Sequence, residues 1–284
     1  MVPVKRILVP IGCRSDEGLS APAIRRLREH FDVEVLHLAP QQFHASYGLT
    51  ECCIQHGEPD LILITGDRVE MCAAAAAAFH NKVPIAHFYA GIINDPICTY
   101  DDVDRHCITL WSDIQFCEDR CSAIRVNMLK SACELPQKNA PYVVGISHLD
   151  DLEVDESKVP GEPYDLVLFN RAPFESKQVG ISLGMELDPT HMIIQIGGNP
   201  DGEKGALFCH GKYYGNLPRP QFLGLLKNCQ RFITNSSAAI YEAPHFLKPE
   251  QIVMVGDRNK NRLRGPFQTG ASDKIVEILK EYLK

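Results

Sequence analysis

Apolar residues in this chain fall into short continuous runs, separated by polar or helix-spaced segments. Val4–Pro10 is a β-branched run that stops at Gly12, and Val33–Leu38, Leu61–Thr65 and Val83–Phe88 are further runs of strand length. Met71–Asn81 between the last two is rich in alanine, which predicts a helix. Pro22-Ala-Ile-Arg-Arg-Leu27 also has helical spacing. Farther on, Tyr164–Phe169, Met192–Ile196, Arg231–Thr234 and Gln251–Val255 read as strands. Gln221–Asn228, Ser237–Phe246 and Ser272–Lys284 read as helices, the last with one apolar face of Ile275, Ile278, Leu279 and Leu283. Runs that are apolar throughout suit strands covered on both faces. Their alternation with helices predicts parallel sheets.

One segment interrupts the pattern. Leu149–Pro163 is acidic and holds two prolines and a glycine, so it is expected to be an exposed connection. The expected organisation is α/β, with two Rossmann-like lobes and a cleft between them: residues 1–148, a connection at 149–163, and a shortened nucleotide-binding lobe at 164–284. Ligands in such folds bind beyond the carboxyl ends of the strands.

Composition narrows the function. With 284 residues, 45% hydrophobic and 23% charged, the chain has the make-up of a globular protein and not of a disordered one. A net charge of -7 argues against non-specific nucleic-acid binding. The longest apolar-rich stretch, Met71–Phe79, is far too short for a membrane span, and no export signal is read at Met1–Gly12. The 11 cysteines are an odd number and contain no CxxC, so reduced thiols in a cytoplasmic protein are expected, without structural zinc.

Four polar clusters follow strands. Gly12–Gly18 offers a turn with Arg14 and Asp16; it lacks the dinucleotide-binding GxGxxG, and taken alone it is better read as a Gly-hinged loop with a solvated arginine. Gly66–Glu70 holds Asp67 and Arg68 at the mouth of the alanine-rich helix, where Asp67 is placed to cap it. Thr99–His106 carries three carboxylates, an arginine and a histidine, fit for acid–base work or merely for a charged helix start. On a helix, Asp101 and Arg105 share a face. Thr234–Pro244 opens a helix with Ser236 and Ser237, either as an anion site or as a plain N-cap. Beyond it, Gly256–Arg264 gathers Arg258, Lys260, Arg262 and Arg264. His87, His106 and His148 read as ordinary core or surface histidines, and Trp111 as a core residue.

In this order the clusters resemble the UDP-N-acetylglucosamine 2-epimerases, closest to the hydrolysing, N-acetylmannosamine-forming branch. GCRSDEGLSAPAIRRL resembles the family's GTRAEYGL-type opening, and PDLILITGDRVEMCAAAAAAFHNKVPIAHFYAG its strand, GDR turn and alanine-rich helix. TYDDVDRHCIT resembles the DDSIRHAIT segment and YVVGISHLDDL the VGSPxLDxL connection. FLGLLKNCQRFITNSSAAIYEAP and VMVGDRNKNRLRG resemble NSSSGIIEAP and IGDRQKGRLR.

The resemblance implies a GT-B fold, a UDP-sugar substrate, no cofactor and a homodimer. It implies that Arg14, Ser236 and Ser237 hold the diphosphate and that Glu242 meets the ribose hydroxyls. Arg258, Arg262 and Arg264 would lie near the phosphates. Asp67 and Asp101 would be acid–base carboxylates, with Asp16, Arg68 and Arg105 beside them. UDP would be eliminated through a glycal, and water would then give the free 2-epimer. Two positions depart from the family. Where its strand ends HxEGG or HVEAG, this chain has His87-Phe-Tyr89-Ala-Gly91, so Tyr89 takes the place of a catalytic glutamate. Where the family has a histidine early in the second lobe, Asn170 stands in about that place. The resemblance leaves two alternatives open: a GT-B glycosyltransferase using a nucleotide-sugar donor, or a non-catalytic nucleotide-sugar binder.

Overall fold

The computed structural model describes residues 4–93, 100–136, 139–170, 184, 186–188, 190–197, 211–215, 217–257, 259 and 267–284, with Arg14 and Ser15 described in their backbone only. The chain divides into two units. One comprises Met1–Ile92, Tyr100–Asp151 and Phe267–Lys284; the other is chiefly Leu152–Pro266.

In chain order the first unit contains β1 (Arg6–Ile11), α1 (Arg14–Leu27), β2 (Asp32–His37), α2 (Phe43–Gly57), β3 (Leu61–Thr65), α3 (Val69–His80), β4 (Ile85–Phe88), α4 (Asp101–Trp111), β5 (Ile114–Cys117), α5 (Arg120–Ala132) and β6 (Tyr142–Val143). The second contains β7 (Tyr164–Leu168), β8 (Met192–Ile196), β9 (Lys212–Tyr214), α6 (Arg219–Asn228), β10 (Arg231–Thr234), α7 (Ala238–Tyr241) and β11 (Ile252–Met254). The last helix, α8 (Ala271–Tyr282), returns to the first unit.

Both sheets are wholly parallel. The first runs β2-β1-β3-β4-β5-β6 and the second β11-β10-β7-β8-β9. The expected fold class, two Rossmann-like α/β units of GT-B type, is the one found. Each strand order reverses once, between β1 and β3 in the first sheet and between β7 and β10 in the second. Connections there leave in opposite directions and open a crevice at the strands' carboxyl ends.

The alanine run has a packing reason. Met71 through Ala78 are all buried, so α3 has no exposed face over these two turns. A helix apolar on every side belongs in an interior, and α3 lies against β3, β4, α2 and α4. The second core is built from Tyr164, Leu166, Ile194, Ile196, Leu223, Leu226 and Phe232 with their neighbours.

Four expectations change here. The Gly12–Gly18 turn is not a loop, because α1 begins at Arg14. The Asp16 carboxylate accepts the backbone N–H groups of Gly12 (3.2 Å) and Cys13 (3.0 Å) and so satisfies donors a helix start leaves open. The acidic connection is not simply exposed. Asp151 pairs with Arg25 and Arg26, while Leu152, Val154 and Val159 pack on the second core. The terminal helix α8 belongs with the first unit, not with a lobe at 164–284. It packs on α1, its first turn is capped by Asp150 (Ser272 N–H to Oδ2, 2.8 Å), and Asp273 meets Arg26 at 2.8 Å. The helix expected over Ser237–Phe246 is broken: α7 ends at Tyr241, and Pro244 sits in a one-turn 3-10 helix, Ala243–His245.

Candidate functional site

At the β1/β3 reversal the chain buries charge. Arg68 Nε meets Glu70 Oε1 at 2.6 Å, both side chains being almost wholly inaccessible. Glu70 Oε2 accepts the Gln41 N–H at 3.1 Å. Gly12 makes room for this pair: a Cβ there would lie 2.3 Å from Glu70 Cγ and Oε1. Asp16, at the start of α1, is buried beside them. Burial drives its pKa up to about 6, against the opposing pull of Arg68 and the cap hydrogen bonds. A carboxyl titrating near 6 can exchange protons close to neutral pH.

One turn away, the helix start at α3 differs from expectation. Arg68, not Asp67, occupies the N-cap, and no side chain caps it. Asp67 instead forms an ion pair with Arg105 of α4. The Arg105 guanidinium is buried, whereas Asp67 is 22% exposed, so the carboxylate is the accessible end of the pair. Arg105 Nη1 also donates to the Tyr89 carbonyl at 3.1 Å. Asp101 is the first residue of α4, with Asp102 and Asp104 in the same turn, as a charged helix start requires.

Tyr89 follows β4 directly. It is 4% exposed, its ring stacks on Phe88 (centroids 4.0 Å apart), and its hydroxyl lies 2.8 Å from His148 Nδ1. Its φ of 66° is in the left-handed region, where a bulky side chain is uncommon. Asp67, Arg105, Tyr89 and His148 thus form one connected polar chain. His148 is buried, in the 3-10 turn Ser147–Leu149. Its sequence neighbours gave no sign of this partner.

Of the other two histidines, His87 is a core group and His106 is half-buried. His87 Nε2 donates to the Gly66 carbonyl at 2.8 Å, and its Nδ1 lies 3.1 Å from Thr109 Oγ1. Burial lowers its pKa to about 4, so it stays neutral and pins the turn in which Gly66 holds φ at 85°. His106 is also held low, by burial first and then by Arg105. Trp111 packs at the edge of the first core and stacks on Phe79.

The β7/β10 reversal is built from amides. The Asn170 N–H donates to Asn235 Oδ1 (2.8 Å), and Asn235 Nδ2 returns a bond to the Asn170 carbonyl (2.7 Å). Asn259 Nδ2 then reaches the Asn235 carbonyl at 2.7 Å. The chain ends after β7, β10 and β11 are thereby tied together. Asn235 stands between the expected residues Thr234 and Ser236 and was not itself anticipated; only its place just past a buried strand marked it.

Ser236 and Ser237 precede a helix of only four residues. The Ser236 hydroxyl accepts the Ala238 N–H at 3.3 Å, and the Ser236 N–H goes to Thr234 Oγ1 at 2.9 Å. Ser237 occupies the N-cap of α7 and forms no side-chain cap bond. Glu242 faces Arg219 at 3.4 Å, with burial raising its pKa. The side chain of Arg14, and Arg258, Arg262 and Arg264 entirely, lie outside the described residues.

Among the described residues, no three His, Cys, Asp or Glu side chains gather to hold a metal ion. No described helix is long and apolar enough to cross a membrane.

Comparison with known proteins follows the same lines. The family model described as UDP-N-acetylglucosamine 2-epimerase matches residues 48–284. A UDP-N,N'-diacetylbacillosamine 2-epimerase (hydrolyzing) of Legionella pneumophila is 23% identical, over 97% of this chain and 85% of its own. A UDP-N-acetylglucosamine 2-epimerase of Neisseria meningitidis is 25% identical, over 92% of this chain and 82% of its own. Among solved structures, UDP-GlcNAc 2-epimerase from Neisseria meningitidis bound to UDP-GlcNAc superposes with a TM-score of 0.74 at 16% identity, covering 97% of this chain and 100% of that one.

Proposed function

The chain belongs to the UDP-N-acetylglucosamine 2-epimerase family, and from that premise we propose that it is a hydrolysing UDP-sugar 2-epimerase. Its substrate is UDP-N-acetylglucosamine or a closely related N-acetylated UDP-hexosamine. The C2 proton is removed, the C1–O bond breaks with its electrons leaving on UDP, and the glycal adds water to give the free 2-epimer.

The observation that carries this reading is the first-unit cluster, where an accessible carboxylate, Asp67, is held by a buried arginine beside Tyr89. Such a site offers proton exchange next to fixed positive charge. Asp67, Asp101 and Tyr89 are assigned the proton chemistry, with Asp16, Arg68 and Arg105 setting their charge. Arg14, Ser236, Ser237, Arg258 and Arg262 are assigned the diphosphate, Glu242 the ribose, and Asn170 a contact to the substrate. Neither a glycosyltransferase nor a silent binder is favoured by the family match.

We also infer a homodimer and a cytoplasmic location. A homodimer is supported by Phe79, 49% exposed, with Phe43 and Leu49 on neighbouring α2 also uncovered; light scattering of the purified protein measures it. A cytoplasmic location suits the nine described cysteines, all free thiols.

Proton NMR with UDP-N-acetylglucosamine in deuterated water tests the reading. Released UDP plus N-acetylmannosamine deuterated at C2 is the expected result. Uridine line broadening without turnover, with this substrate and with its diacetamido analogue, overturns it.

A further inference from the structure

Tyr89 presents two unusual features at once. Its backbone occupies a conformation that a bulky residue seldom adopts, φ 66°. Its hydroxyl, buried beyond the carboxyl end of β4, is bonded to a buried imidazole from a distant turn, His148 Nδ1 at 2.8 Å. A tyrosine needed only for packing requires neither. Burying a phenol does require a hydrogen-bond partner, but a backbone carbonyl serves, as Leu225 does for Tyr164. An imidazole differs from a carbonyl in one respect: it can take the proton and keep it.

We infer that Tyr89 and His148 work as a proton-transfer pair, with Tyr89 the group that exchanges a proton with the sugar and His148 the positioning residue that makes this possible. The inference rests on the epimerase reading and deepens it. In the resting pair the phenol donates to neutral His148. A free phenol, with a pKa of about 10, is a poor base at neutral pH. Passing its proton to Nδ1 as it reacts removes that handicap.

The Tyr89 proton moves to His148, and the phenolate oxygen takes the proton from C2. The C2–H electron pair forms the C1=C2 bond, and the C1–O pair leaves on UDP. Tyr89 is again a phenol and His148 an imidazolium. Water then adds its oxygen to C1, a carboxylic acid of the site protonates C2, and the resulting carboxylate takes the proton lost by the water. The proton on His148 leaves with UDP or to solvent. The sum is UDP-sugar plus water giving free sugar, UDP and one proton. Around the pair, the Tyr89 carbonyl receives Arg105, whose far side holds Asp67. The backbone of Tyr89, the guanidinium and the accessible carboxylate are therefore joined in one framework.

The test is a double-mutant cycle with kcat and KM separated. Tyr89→Phe is expected to lower kcat by about 10²–10⁴-fold, with KM within about threefold and exchange of the C2 proton falling in parallel. His148→Gln keeps a hydrogen-bonding side chain without a titrating ring, and is expected to lower kcat by at least about tenfold while UDP binding is unchanged. In a Tyr89→Phe background, His148→Gln is expected to add nothing. Should Tyr89→Phe fail to fold, His148→Gln alone decides, since its melting temperature separates packing from turnover. A His148→Gln enzyme that folds and keeps kcat within about threefold of wild type overturns the pair. Wild-type protein that turns over no UDP-sugar overturns the epimerase reading itself, a result distinct from active enzyme indifferent to both substitutions.

Discussion

Two parallel sheets in one chain each reverse their strand order once, and the two reversals are furnished differently. The β1/β3 crevice is lined with ions: Asp16, Arg68, Glu70 and the Asp67–Arg105 pair. Among the described residues, the β7/β10 crevice carries the amides Asn170, Asn235 and Asn259, which tie loops by their backbones. Buried ions need partners, and their protonation responds to surroundings. Amides do not titrate and hold geometry at any pH. The same topological opportunity is thus used once to place movable protons and once to fix a shape.

Substitutions at the two crevices put this contrast to the test. The largest effect belongs to Asp67→Asn, expected to lower kcat by about 10²–10⁴-fold while the melting temperature moves little, as measured by released UDP and by calorimetry. Glu70→Gln removes the carboxylate that meets the buried Arg68 guanidinium at 2.6 Å. It is expected to cost about 3–5 kcal/mol of stability, read from urea unfolding.

Two buried groups make stability depend on pH. His87 is neutral in the fold with its pKa lowered to about 4, so its stabilising contribution is present above pH 6.5 and is lost as pH falls toward 4. Asp16, raised to about 6, runs the other way: its contribution is present below about pH 4 and is lost as pH rises through 6. His87→Gln, which keeps a donor for the Gly66 carbonyl, is expected to remove a loss of about 3 kcal/mol between pH 6.5 and 4. Urea midpoints at half-unit pH steps, against wild type, measure it; an unchanged profile refutes the assignment.

The smallest effect is expected in the amide crevice. Asn235→Ala removes both bonds to Asn170 and is expected to cost about 2 kcal/mol with no change in the pH profile of turnover. The contrast breaks if Asn235→Ala alters that profile as Asp67→Asn does.

Much of the fold was legible because its central strands are apolar without interruption. Leu61–Thr65, Met192–Ile196 and Arg231–Thr234 were found with the bounds expected. The strands β5, β6 and β9 were not foreseen: they have four, two and three residues, and the sheet beside them, not their own pattern, makes them strands. Helix α2 hid for a related reason, since FHASYGLTECCIQHG buries only Ser46, Thr50 and Ile54 and shows no strong apolar stripe.

At the site, residue types and turns were legible while partners were not. Asp67 had the position of a helix cap, but a guanidinium from another helix offers a stronger partner than a backbone N–H. Glu70 lay in a noted cluster, yet nothing local said that Gly12 would leave the space it fills. His148 gave no sign of this role, because its partner is a phenol that follows β4, far away in the sequence.

The return of α8 to the first unit has a consequence for how the chain is made. Asp150 and Asp151 emerge from the ribosome long before Gly270 and Ser272, whose N–H groups Asp150 receives. Until then α1 lacks the helix that covers it. The second unit has all of its strands and helices in hand earlier, so it can mature first although it begins later. Vectorial synthesis therefore favours an inside-out order, in which the inserted segment folds and the flanking one closes around its own ends last. Such closure joins residues far apart in sequence, the kind of step that slows folding and leaves apolar surface waiting for its cover.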